Sequence, residues 1–425
     1  SVNTYIGTAY QGWRSGRFNA EQGGWLQPDG SYAFNEISLT AALAEAWTRN
    51  EYNSIFESMR AAADLHPQQL SYLSSPFLGN LRAQRANMQS ADQARSTELI
   101  RSFSRRATTP LEDPELIHWI ITRGSSTVFQ QLPAYLQSIQ PNALEPAQLI
   151  GLLENSLDDT PMPAEIRAAL DAFQRPAAQL LLTKLQKIDS SIYLNPNAGS
   201  ENATADMLLS IRAGQGLREY GLKNGNAQLA GIGRTMVRSV LSLQDANGFL
   251  PQSLRLNGNS IAAREGTLLP ETVYPFIQQN PAWPRVYSLF DQLGQGSYVF
   301  STAPIISAEK SENELRLSFT NVRNRTHYLY IGGLPKYQIL HLFGYQWPAD
   351  PNFENYSRGT YYDQASNTAL IKFFESSTTG QIRYEFAVAA PATPAAPAQG
   401  SAAGTEANPA ENVQPETQAG QDDQS

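Results

Sequence analysis

Along the chain the hydrophobic positions change period once, and that change sets the expected architecture. From Glu36 to Leu243 apolar residues recur every three or four positions, the spacing of one buried stripe per helix. The stretch from Ala203 to Leu254 shows it best. One helix there carries Met207, Leu208, Ile211 and Leu217, and a second carries Leu229, Ile232, Met236, Val237, Val240 and Leu243. Asn224-Gly225 breaks the pair, and Asp245-Ala246-Asn247-Gly248 ends it with the glycine that a left-handed C-cap favours. Further helices are expected at 36–47, 51–65, 91–105 and 128–139. Four short ones share an opening device, a proline in or beside the first turn, with acids there in the first three: Asp113-Pro114-Glu115, Glu145-Pro146, Pro163-Ala164-Glu165 and Arg175-Pro176. Their bodies are expected at 116–122, 149–157, 166–173 and 180–188. That makes about ten to twelve helices before Asn280, joined by short connections as stacked hairpins are.

Residues 251–284 read as a long connection and 286–293 as a last helix. Then the period becomes two: Leu315, Leu317 and Phe319 alternate with polar residues, as do Ile382, Tyr384, Phe386 and Val388. Segments 327–331, 338–343 and 368–374 are further strands. Phe319, Tyr384 and Phe386 are expected to face the core of an antiparallel sandwich. The predicted fold class is therefore a helical-hairpin array, an α/α toroid or a solenoid, followed by an antiparallel β-sandwich and a disordered tail. In residue numbers, 1–35 form an aromatic, Gly-rich N-terminal arm that resembles neither helix nor strand and packs on the helical domain. Residues 36–295 form the all-α domain, 296–389 the sandwich and 390–425 the Ala/Pro/Gln/acid-rich tail, with the α-to-β boundary between Asp291 and Tyr298. A tail that buries nothing should be removable without lowering the melting temperature.

Composition narrows the function. The net charge is −8, but the tail carries five acids and no Lys or Arg, leaving the body at −3, with no electrostatic footprint for nucleic acid. The absence of cysteine excludes disulfides, thiolate metal sites and cysteine nucleophiles. No apolar run is long enough to span a bilayer. Charged residues at 16% and a start at Ser1 without Met lead us to expect an extracytoplasmic protein, periplasmic, secreted or surface-anchored.

Helical hairpins followed by a sandwich resemble the layout of α/α-toroid glycoside hydrolases and polysaccharide lyases with an appended β-sandwich. Phe353-Glu354-Asn355-Tyr356, Tyr361-Tyr362-Asp363 and Asn367-Thr368-Ala369-Leu370-Ile371-Lys372 look like the last strands of such sandwiches. Asp245-Ala246-Asn247-Gly248-Phe249 is similar to the Asp-Gly-aromatic loops that end toroid helices. The resemblance implies a glycan substrate and a site on the helical domain; its motifs assign no catalytic residue, and no cofactor is expected.

Glycoside hydrolysis needs two carboxyls, one protonated and one ionised. Acids in loops among aromatics are the candidates, not acids on exposed helix faces: Asp245, Glu265, Glu271 and Glu36 for catalysis, with Asp29 beside them. Trp13, Trp25 and Tyr32 are the candidate sugar-binding platforms. A toroid would bring the arm against 245–271, gathering these groups around one cleft. The four histidines are dispersed and read as packing residues; His327 and His341 approach each other only if their strands pair, and no metal site is expected. No phosphate loop, dinucleotide fingerprint or nucleophile elbow is present. The second reading, from another class, is a non-catalytic extracytoplasmic binding or scaffold protein with a protein partner.

Overall fold

The computed structural model describes residues 1–197, 200, 203–320, 323–375 and 377–387; the tail and the proposed effect of deleting it lie outside the described residues. Residues Ser1 to Ala387 form one compact unit. Its first part is helical: α1 (Val2–Gln11), α2 (Glu36–Thr48), α3 (Tyr52–Leu65), α4 (Ser75–Leu78), α5 (Leu81–Ser104), α6 (Leu116–Thr122), α7 (Ser126–Gln137), α8 (Pro146–Leu157), α9 (Ala164–Leu182), α10 (Met207–Lys223), α11 (Ala227–Leu241), α12 (Pro270–Ile277) and α13 (Phe290–Leu293). Side chains cap several of them: Asn35, Ser125, Asp206 and Asn226 each accept from a backbone N–H in the first turn. The two helices of the 203–254 stretch pair as expected, α10 packed along α11, but α11 ends at Leu241 with Ser242 in the right-handed conformation as its C-cap, before Leu243 and Gly248.

Three short sheets punctuate this part. Strands β1 (Phe18–Asn19), β2 (Gly24–Leu26) and β3 (Tyr32–Ala33) form the first, β4 (Leu185–Ile188) and β5 (Ser191–Leu194) the second, and β6 (Thr204–Asp206), β7 (Ser253–Asn257) and β8 (Ser260–Glu265) the third. They correct several expectations. The N-terminal 35 residues are not irregular: they open with α1 and a π-helical turn, Gly12–Gly16. The connection 251–284 contains the β7–β8 hairpin and α12. The helix expected at 180–188 does not exist as such. Pro176 lies inside α9, which runs on to Leu182, and β4 follows. The stripe Ile166, Leu170, Ala177, Ala178 and Leu181 is fully buried along α9, and that packing outweighs the ~3 kcal/mol a proline costs a helix interior.

Beyond α12 two five-stranded antiparallel sheets face one another. The first contains β9 (Arg285–Ser288), β10 (Tyr298–Ser301), β13 (Arg325–Gly332), β16 (Gly359–Asp363) and β17 (Thr368–Glu375), in the order β16-β17-β13-β10-β9. The second contains β11 (Ile305–Lys310), β12 (Glu314–Thr320), β14 (Ile339–Leu342), β15 (Tyr345–Trp347) and β18 (Thr379–Glu385), in the order β11-β12-β18-β14-β15. Between them lies one core, with Val299, Ile331, Ile371 and Phe373 from the first and Leu317, Phe319, Ile382 and Tyr384 from the second. Phe319 and Tyr384 are fully buried there, while Phe386, one residue past β18, packs half-buried at its edge.

The first sheet is covered on its other face too. Tyr298, Phe300, Tyr330 and Leu370 turn away from the sandwich and join Leu81 and Met88 of α5. Its strands are therefore apolar at consecutive positions (Val299-Phe300, Tyr330-Ile331, Leu370-Ile371), as burial on both faces requires. That hid β9: residues 286–288, expected to be helical, pair with β10 upstream of the expected boundary. His327 and His341 sit in different sheets, because Gly332-Gly333 carries the chain from one sheet to the other. His327 stacks on Phe373 at 5.1 Å and meets Trp47 of α2 edge-on at 5.3 Å. Helices and sandwich are thus joined through shared packing.

Candidate active site

The N-terminal segment lies against residues 245–271, but through a buried structural contact. The π-helical turn sends Trp13 and Arg17 inward. Arg17 meets Glu271 with two parallel hydrogen bonds, Nη1 to Oε2 at 2.9 Å and Nη2 to Oε1 at 3.0 Å, and both side chains are essentially inaccessible to solvent. The Trp13 indole donates to the same carboxylate at 3.2 Å, and Trp25 donates to the Trp13 carbonyl at 2.8 Å. Trp13 and Trp25 are fully buried, with no face offered to a ligand. Tyr32 is exposed on the edge strand β3.

The remaining sequence candidates hold local structure. Asp245 accepts from the backbone N–H groups of Asn247 at 2.8 Å and Phe249 at 2.9 Å, closing its own turn. Asp29 does the same with Ser31. Glu265 ends β8 beside Arg255 at 3.4 Å, both well exposed. Glu36, at the start of α2, accepts from the Ser71 and Ser74 hydroxyls, both at 2.6 Å, and pins the loop before α4.

The structure gathers a different set of acids. Helices α2, α12, α10, α8 and α6 follow one another in an arc, each packed on the next, and β9 packs on α6. Inside this arc is a cavity of about 640 Å³. Asp113, Glu115, Glu154, Asp158 and Glu219 reach it, with His118, Thr160 and Gln215, while Phe276, Trp283, Tyr72 and Phe300 supply aromatic wall. Neighbouring cations hold the frame. Arg123 pairs with Asp92 at 2.6 Å, donates to the Tyr72 hydroxyl at 2.7 Å and lies over its ring. Arg95 pairs with Asp113 and covers the Trp119 ring at 4.2 Å.

Three acids of the cleft have distinct environments. Glu154 is clamped by Arg212, Nε to Oε1 at 3.2 Å and Nη2 to Oε2 at 2.6 Å; burial pushes its pKa up against that pairing. Asp158 has one oxygen occupied by the Thr160 backbone N–H and hydroxyl, both at 2.7 Å, and the other 3.8 Å from His118 Nδ1. The Thr160 hydroxyl donates to Asp158 and also contacts His118 Nδ1. The ring nitrogen facing it is then the donor, which leaves Nε2 as the ring position that can accept a proton.

Glu219 makes no hydrogen bond or ion pair among the described residues. It is open to the water of the cleft, yet the surrounding walls strip enough solvation to raise its pKa, Arg218 opposes the rise, and the charges of Asp159 and Asp158 add to it. The geometry therefore holds an uncommitted carboxyl biased towards its protonated form and an Asp158–Thr160–His118 chain ending in a proton acceptor. Both line one aromatic-walled cavity. Among the described residues no group of three His, Cys, Asp or Glu side chains is placed to hold a metal ion.

Sequence reasoning passed over these groups because each sits on a helix or just beyond one, where an acid reads as a solvated surface residue. One signal was present: His118, Asp158 and Glu219 each lie within a turn of a strongly apolar segment that the inner helices bury.

No known family model matches the chain, and no curated protein sequence matches it. Among solved structures it is similar to a GH127 beta-L-arabinofuranosidase from Geobacillus stearothermophilus T6, at 9% identity and a TM-score of 0.25, covering 82% of this chain and 61% of that one. A second GH127 beta-arabinofuranosidase is similar at 10% identity and a TM-score of 0.19, covering 89% of this chain and 74% of that one. The chain spans about three fifths of the length of the first, and at this distance neither likeness transfers a residue role or an activity to it.

Proposed function

We propose that the chain is a carbohydrate-active enzyme that cleaves a glycosidic bond in the cleft between α6, α8, α10 and α12. The observation that carries this reading is the place of Glu219, a carboxyl with no hydrogen bond or ion pair among the described residues, on a cavity with aromatic walls that partly desolvate it and so push its pKa up. Protonating a departing sugar oxygen requires a carboxylic acid that keeps its proton near neutral pH. Water on the opposite side of the anomeric carbon requires a base, and the Asp158–Thr160–His118 chain supplies one through Nε2. Arg212 keeps Glu154 occupied, which makes Glu154 a wall residue and not the second catalytic carboxyl. Phe276 and Trp283 present apolar surface suited to the flat face of a sugar ring.

The test is a panel of aryl glycosides and oligosaccharides assayed with the wild type and Glu219→Gln. The variant should lose roughly 10²–10⁴-fold in kcat on an unactivated substrate. A dinitrophenyl glycoside, whose leaving group needs no proton, should largely escape that loss. Equal losses on both substrates would remove Glu219 from the acid role. Binding without turnover across the whole panel would leave a non-catalytic glycan-binding protein.

A further inference from the structure

The α10–α11 hairpin carries a second cavity whose charge is opposite to that of the cleft. It measures about 330 Å³, has Ile6, Val237 and Ile277 as apolar wall, and is rimmed by Arg218, Arg234 and Arg238, with no Asp or Glu among its lining residues. The two helices cross closely enough to bring these arginines together. A Cβ on Gly233 would stand 2.3 Å from the Gly214 carbonyl oxygen and 2.5 Å from the Arg218 nitrogen, so only glycine fits there. Arg234 and Arg238 lie four residues apart on one exposed face of α11. Among the described residues neither side chain makes an ion pair or a hydrogen bond. Arg218, whose charge also acts on Glu219, makes one side-chain hydrogen bond among the described residues, to Gln215 at 3.4 Å.

Three guanidinium groups around one pocket repel one another, and an anion placed among them removes that cost while using their paired N–H donors. The cavity neighbours the acid cleft: Gln215 lines both, and Arg218 precedes Glu219 on α10. We infer that this cavity recognises an anionic substituent, a uronate carboxylate or a sulfate ester, on the glycan that occupies the cleft. The substrate class is then an acidic polysaccharide, with the charged sugar seated on the arginines and its apolar ring face on Val237 and Ile277. This rests on the cleft being the glycan site.

Calorimetric titration of the full chain tests it with three probes: an oligogalacturonate, a sulfated carrageenan oligosaccharide and a neutral xylo-oligosaccharide. At least one acidic probe should bind more tightly than the neutral one, and weaken as salt is raised. Arg234→Ala/Arg238→Ala should cost that probe about tenfold or more in affinity and leave the neutral one unchanged. Whether the carboxylate or the sulfate is preferred shows which substituent is read. Equal affinity for all three probes, no binding of either acidic probe, or an unaffected double variant would overturn the inference. Cleavage is scored separately, so acidic binding without turnover retires the hydrolase reading and not the anion site.

Discussion

Replacing Glu271 by glutamine tests whether that acid is structural. The substitution keeps the volume and removes the charge from a pair whose two members are 0% and 1% exposed. Arg17 Nη2 also donates to the Leu26 carbonyl at 3.0 Å, Nε donates to it at 3.1 Å, and the guanidinium lies 4.7 Å over the Phe249 ring. Arg17 thus cannot leave to find water. A glutamine amide would set one NH₂ against a guanidinium N–H, leaving a buried cation with half of its partner. Removing one partner of a buried pair costs ~3–5 kcal/mol. That is a large share of the roughly 5–15 kcal/mol that holds a protein folded. Urea unfolding followed by tryptophan fluorescence should show the midpoint falling with an unchanged slope, and Trp13 and Trp25 beside the pair make good reporters. The double variant Arg17→Met/Glu271→Leu removes both charges and should recover most of the loss. A loss below about 1 kcal/mol for Glu271→Gln would refute the structural reading and return Glu271 to the list of functional acids.

Three further outcomes are expected. Phe319→Ala, in the sandwich core between Phe343 and Phe373, should cost ~3–5 kcal/mol in urea unfolding, against about 1–2 kcal/mol for the half-buried Phe386→Ala; equal costs would mean that Phe386 sits as deep as Phe319. Pro176→Ala should raise stability by about 1–3 kcal/mol, since α9 is already continuous through that position and the variant restores an N–H donor. The pH profile of kcat should place its alkaline limb above an ordinary glutamate value, because the acid must be protonated and partial desolvation by the cleft walls raises Glu219. Asp159→Asn removes a charge that raises Glu219 and should move the limb to lower pH, and Arg218→Ala removes one that lowers it and should move the limb up; shifts of both in one direction would assign the limb to another group.

Where the sequence is legible, one element states its own environment. The α10–α11 hairpin shows two apolar stripes and a turn, and each can be read without knowing what lies opposite. The same holds for Phe319 and Tyr384, whose strand has polar neighbours on one side. Legibility fails where burial comes from both sides. Residues 286–288 carry no alternation, since β9 belongs to a sheet covered on each face, and they pass for the start of a helix. Pro176 fails for a related reason: propensity is local, while the packing that holds α9 through the proline comes from the buried Ile166–Leu181 stripe.

The acids show the same limit at the level of the site. A polar residue on an amphipathic helix has two places to point, bulk water or a cavity enclosed by other helices, and the periodicity of its own helix is identical in both cases. Glu219 on α10 and Glu154 on α8 become neighbours only because α10 packs on α8, a contact made 58 residues apart in the Arg212–Glu154 pair. Conversely, Trp13 and Glu271, conspicuous as an aromatic among glycines and an acid beside a proline, meet at 3.2 Å and cancel each other's availability. Aromatics and acids in the same segments are needed as much to lock a glycine-rich arm onto a helical body as to bind a sugar. What separates the two uses is the partner: Glu271 has Arg17, and Glu219 makes no ion pair or hydrogen bond among the described residues. A carboxyl that the fold brings into a cleft and leaves unpaired is the stronger mark of chemistry than one that merely stands among aromatic residues.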